Sequence, residues 1–112
     1  MIEIYEHSGE GYLPLIDFQS WRVAILRYNK RFCKLTGLER HLETDEVFVL
    51  LEGDATLVAG EPGNTTEYKM ERNKIYNIPK GVWHHIIVTP DAYVLIVENS
   101  DTSVENTERI AI

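Results

Sequence analysis

Three of the chain's four histidines fall in two short polar stretches that flank apolar runs. The first is Glu39-Arg40-His41, followed by Thr44-Asp45-Glu46 and the apolar string Val47 to Leu51, closed by Glu52-Gly53. The second is Pro79-Lys80-Gly81-Val82-Trp83-His84-His85. Imidazole and carboxylate are the side chains that ligate a metal ion or carry a proton near neutral pH. A fold that joins the two stretches makes a site from Glu39, His41, Glu46 and His84.

Strand alternation decides which of these groups can meet. Counting from Glu46 places Glu46, Phe48 and Leu50 on one face and Val47, Val49 and Leu51 on the other. Both faces are apolar, so this strand reads as buried on both sides. A carboxylate opening such a strand must be paired, protonated or metal-bound. Asp45 reads as pointing outward or capping a turn. Glu39 and His41 share a face, with Glu43 next in line. His84 and His85 point to opposite faces, so one of the two faces a cavity.

The elements that would position them are strands. Segments 21–28, 46–51, 55–58, 65–70, 74–78, 83–88 and 92–97 are rich in β-branched and aromatic residues. Between them stand Glu52-Gly53-Asp54, Gly60-Glu61-Pro62-Gly63-Asn64, Pro79-Lys80-Gly81 and Thr89-Pro90-Asp91, which supply turn residues. No stretch shows a sustained helical period. A strand and turn every ~8–12 residues is the mark of a sandwich or barrel. The fold class is all-β. Residues 1–20 read as an irregular lead-in, about 21–98 as the barrel, and 99–112 as a polar tail that wraps an edge strand or pairs two subunits.

With 112 residues, the chain forms a single domain over 1–112. Its net charge of −7 and the lack of a Lys/Arg-rich run exclude nucleic acid as the expected partner. Apolar runs are far shorter than the ~20 residues of a membrane span, and the N-terminus does not read as a signal peptide. The lone Cys33 allows no intrachain disulfide, which suits a cytoplasmic location. Its basic neighbours Lys30, Arg31 and Lys34 could activate the thiol, but the residue reads as a bystander.

Pro79-x-Gly81-x-x-His84 resembles the second motif of the cupin superfamily, and His41-(x)4-Glu46-(x)6-Gly53 resembles most of the first. The resemblance covers about residues 35 to 98. It implies a cupin-type jelly-roll barrel, a double-stranded β-helix whose interior commonly holds a divalent metal. His41, Glu46 and His84 would then be ligands for Fe, Mn, Ni or Zn, with no organic cofactor. Glu39 stands where most cupins carry the first histidine of a His-x-His pair. Leu38-Glu39-Arg40-His41 and Gly81-Val82-Trp83-His84-His85, with Glu98-Asn99-Ser100-Asp101, are also similar to strings of ureidoglycolate lyase, which releases glyoxylate and urea. The family resemblance further implies a homodimer.

Two functions follow as expectations. One is an enzyme acting on a small polar carbonyl or ureido acid by acid/base chemistry, in which His84 or His41 is the base and Glu39 or Glu46 its partner. In that reading Arg40 and Lys80 are candidates to hold a substrate carboxylate. The other is a non-catalytic module that binds a sugar or metabolite. Trp83, Tyr76, Tyr93 and His85 are candidate ligand-contacting residues in either case.

Overall fold

Apolar alternation sorts the chain into two facing sheets, described by a computed structural model covering residues 1–112. The strands are β1 (Gly11–Phe18), β2 (Trp21–Arg27), β3 (Gly37–His41), β4 (Glu46–Glu52), β5 (Ala55–Glu61), β6 (Asn64–Lys69), β7 (Ile75–Ile78), β8 (His84–Val88), β9 (Tyr93–Asn99) and β10 (Thr107–Ala111). One sheet runs β1-β2-β9-β4-β7 and the other β10-β3-β8-β5-β6. All pairings are antiparallel. This is the all-β sandwich expected from the strand spacing, in the jelly-roll form that the family resemblance implies.

The inner faces are continuous. Leu26, Phe48, Leu50, Val94 and Ile96 from the first sheet meet Leu57, Ile86 and Val88 from the second. The opposite face of β4 differs from expectation: Val47 and Val49 are half-buried and Leu51 is exposed. A strand central to an antiparallel sandwich buries one face only.

One further expectation needs correction. The stretch expected as irregular lead-in contains β1, which pairs with β2 from Gly11↔Arg27 to Phe18↔Trp21 around an irregularity between Pro14 and Ile16. Proline and a register shift are tolerated because β1 is an edge strand. The polar tail takes the first of its two expected roles: its strand β10 lies along β3 of the same chain from Thr107↔His41 to Ala111↔Gly37.

Turn chemistry sets the approach of β8. In the Pro79–Val82 turn the Val82 N–H donates to the Pro79 carbonyl, and Gly81 at the third position has φ of 84°. A positive φ there is what a type II turn requires, and glycine adopts it without strain. The Gly81 N–H donates 2.7 Å to the His41 carbonyl. The Asp45 carboxylate accepts from the Lys80 N–H at 2.9 Å and the Asn77 amide at 3.1 Å, which holds its pKa below the ordinary value. One turn thus ties the end of β3 and the start of β4 to the entry of β8.

Phe48 is almost fully buried and meets the His84 ring edge-on, with centroids 6.1 Å apart. Phe48→Ala is expected to destabilise the fold by about 3–5 kcal/mol, read by chemical denaturation. Phe48→Leu, which keeps most of the volume, is expected to cost far less.

Candidate functional site

His41 ends β3, while Glu46 and His84 open β4 and β8, so all three lie at one end of the sandwich. Nε2 of His41 and Nε2 of His84 each lie 3.0 Å from the same oxygen, Glu46 Oε1. The imidazole centroids are 5.4 Å apart. Nδ1 of His84 donates to the Val82 carbonyl at 2.9 Å, and Nδ1 of His41 bonds to Thr107 Oγ1 at 2.9 Å. With Nδ1–H spent on a carbonyl, a neutral His84 turns a lone pair toward the Glu46 carboxylate. Two acceptors cannot share that 3.0 Å gap without a proton or a cation.

Glu39 lies opposite His84 in the β3–β8 pairing and brings Oε1 to 3.7 Å from His41 Nε2. Glu39, His41, Glu46 and His84 each offer one ligand atom, all within 4.8 Å of one another. Two imidazole nitrogens and two carboxylate oxygens suit a first-row divalent ion with positions left open. The donor set fits the metal that the sequence resemblance implied.

Beyond the cluster the sandwich opens into a cavity of about 210 Å³. Glu98 and Arg22 form a cross-strand pair of β9 and β2 whose side chains both reach this cavity. Glu98 Oε1 stands 4.0 Å from His41 Nε2. Its Oε2 accepts a bond from Arg22 at 3.1 Å and one from the Tyr12 hydroxyl. Burial, then the negative Glu46 nearby, raises the Glu98 pKa. Burial and the bond to Glu98 raise that of Tyr12, which therefore stays protonated. Thr107 and Arg109 on β10 and Arg31 on the 3-10 turn Lys30–Phe32 complete the polar wall.

The other expected contacts lie elsewhere. Arg40, one residue from His41, turns outward, stacks on Trp83 at 4.5 Å and pairs with Glu108. His85 turns away from His84, donates from Nε2 to the Lys34 carbonyl at 3.0 Å and stacks on Phe32. Tyr76 packs against the core and its hydroxyl accepts from the Glu71 N–H, while the Tyr93 hydroxyl accepts from the His7 N–H. Lys80 is exposed, and Glu43 bonds to Asn106 in the loop after β3. None of Arg40, Trp83, Tyr76, Tyr93, His85 or Lys80 lines the cavity beside the cluster. Alternation accounts for Arg40 and His85, and core packing for Tyr76.

Three solved structures share this architecture. One is a cupin-2 domain containing protein from Shewanella frigidimarina, at 18% identity and TM-score 0.61, covering 86% of this chain and 84% of that one. The protein has the cupin fold. A variant of the 3,4-ketoisomerase QdtA from Thermoanaerobacterium thermosaccharolyticum, solved with TDP-4-keto-6-deoxyglucose, matches at 13% identity and TM-score 0.67 over 88% and 83% of the chains. A TDP-quinovose 3,4-ketoisomerase from Campylobacter jejuni matches at 17% identity and TM-score 0.63 over 77% and 67%. No family model and no curated protein matches the cupin-fold sequence itself. No helix is long and apolar enough to cross a membrane.

The cluster makes stability depend on pH. Burial works against charging His41 and His84, but the bond to Glu46 and its charge outweigh it, so both pKa values rise above 6.5. Burial likewise opposes charge on Glu46, yet the two imidazoles pull its pKa from 4.5 to about 2. The histidine contribution is complete below 6.5 and is lost as pH climbs through the raised values. The Glu46 contribution is complete above 4.5 and is lost as pH falls toward about 2. Metal-free protein is therefore expected to melt highest between about pH 4.5 and 6.5. A bound divalent ion reverses the alkaline limb, because it takes the deprotonated imidazoles. Thermal melts with chelator and with added Mn²⁺ or Zn²⁺ check this; parallel curves would contradict it.

Proposed function

We propose that this cupin-fold protein is a metal-assisted enzyme that moves protons on a small polar carbonyl compound or ureido acid, with carbon–nitrogen cleavage of the ureidoglycolate lyase type as its reaction. The carrying observation is the meeting of His41 and His84 Nε2 on Glu46 Oε1 at the edge of a cavity of about 210 Å³. His41, Glu46 and His84 would hold Fe, Mn, Ni or Zn, with Glu39 in reach as a fourth donor. Such an ion supplies Lewis acidity toward a carbonyl or hydroxyl oxygen when bound.

Imidazoles used as ligands cannot also serve as the base. That work passes to Glu98, which faces the cavity 4.0 Å from His41 Nε2. The Tyr12 hydroxyl and Arg22 grip its Oε2 and leave Oε1 without a hydrogen-bond partner. In cleavage of a carbinolamine, Glu98 takes the hydroxyl proton as the carbon–oxygen double bond forms and the carbon–nitrogen bond breaks. The same carboxyl then returns that proton to the leaving urea nitrogen. One carboxylate acting at two adjacent atoms suits a cavity this small.

Metal analysis of untagged protein and a glyoxylate-release assay with ureidoglycolate test this reading. Glu98→Gln is expected to lower turnover by about 10²–10⁴-fold with metal content unchanged, whereas His41→Ala and His84→Ala lose the metal. Ureidoglycolate bound without turnover would leave a non-catalytic binding module in its place.

The reading includes a cytoplasmic homodimer. Met1, Ile2 and Ile4 are almost wholly exposed, and Leu13, Ile16 and Phe18 of edge strand β1 are exposed as well. An apolar arm beside an unpaired edge suits a second copy of this chain. Sedimentation is expected to give a dimer for the full chain and a monomer once residues 1–6 are removed; a monomeric full chain would refute this.

A further inference from the structure

Arg109 of β10 stands directly opposite Glu39 of β3. Its Nε donates to Glu39 Oε2 at 3.0 Å, and Nη2 of Arg31 reaches the same oxygen at 2.9 Å. Two guanidiniums are thus gathered on one carboxylate oxygen, leaving an unbalanced positive charge. Each guanidinium carries five N–H donors, and the bonds to Glu39 use one apiece. The two side chains are 44% and 56% exposed, so the unspent donors are open to a ligand.

Their position is as informative as their charge. Arg31, Glu39 and Arg109 line both the cavity beside the cluster and a second hollow of about 240 Å³ whose rim includes Thr36 and His85. They form the wall between the two. Around the inner cavity Arg22, Arg31 and Arg109 offset Glu39, Glu46 and Glu98. A divalent ion on the cluster would leave the cavity positive by two charges, within a chain whose net charge is −7. An anion drawn to this spot meets a local field opposite to that of the whole protein.

We propose that Arg31 and Arg109 form a carboxylate clamp, and that the ligand is a short acid bearing its reacting hydroxyl, oxo or ureido carbon next to the carboxylate. The proposal rests on the reading of the cluster as the reaction centre. Glu39 spans the distance, with Oε2 on the clamp and Oε1 3.7 Å from His41 Nε2. A ligand held by the clamp therefore reaches the cluster only if carboxylate and reacting carbon are adjacent. Guanidinium suits this role because its planar fork can grip a carboxylate through two parallel bonds.

Glycolate and glycolamide are matched probes, alike except that the amide is neutral. Calorimetry at low ionic strength with Mn²⁺-loaded protein is expected to show glycolate binding at least ~10-fold tighter. Arg31→Ala combined with Arg109→Ala is expected to bring the two probes within about twofold, with Mn²⁺ content unchanged. Arg31→Lys, which keeps a charge but not the fork, falls between. Wild-type protein that binds both probes equally, or neither, overturns the clamp, as does a double variant that discriminates like wild type. Glycolate discrimination without cleavage of ureidoglycolate removes the catalytic reading alone. Cleavage with KM unmoved in the arginine variants removes the clamp alone.

Discussion

A carboxylate that is nearly inaccessible to water must be compensated, and Glu46 is compensated from two directions at once. Burial alone would push Glu46 toward neutrality, while the two imidazoles hold it ionised. Much of the local architecture follows from that constraint. β3 must end where His41 meets β4, and β8 must begin where His84 does. The Pro79–Val82 turn enforces both, since Gly81 is bonded to the His41 carbonyl and Lys80 to Asp45 beside Glu46. Removing one imidazole would leave a half-paired buried charge, a worse state than removing the cluster whole.

The cluster was legible in the sequence because its residues obey rules with sharp periods. Glu46, Phe48 and Leu50 alternate on one face, and positive φ at Gly81 explains why glycine belongs in the turn before His84. The same alternation runs through Val94, Ile96 and Glu98 of β9, with Glu98 in the place Glu46 holds on β4. Ending that strand at Val97 hides the residue. Arg22 is found the same way, from Ala24 and Leu26 backward along β2.

Tyr12, Thr107 and Arg109 were not legible on those terms, for a different reason. They sit on β1 and β10, the outermost strands of the two sheets. An edge strand satisfies only one row of backbone groups and exposes much of its surface, so its composition is weakly apolar and its existence depends on a distant partner. Ile110 is the single large aliphatic residue of β10, yet the strand pairs with β3 along its whole length. Pattern within the segment does not reveal it; register against β3 does.

The two edge strands nevertheless supply side chains that hold the site's own residues. Tyr12 steadies Glu98 from one sheet, while Thr107 steadies His41 and Arg109 steadies Glu39 from the other. Thr107 and Arg109 thus hold two members of the cluster, and Tyr12 holds the carboxylate that faces it. The division has a physical logic. Central strands, gripped on both sides, can hold a buried charge in fixed geometry, whereas edge strands reach the solvent where a charged ligand must first be met. Arg40 shows the alternative: one residue from His41 on the opposite face, it is committed to Trp83 and Glu108 and contributes nothing to the cavity. A side chain's place in the pleat, more than its distance along the chain, separates the charges that serve the site from those that only decorate the surface.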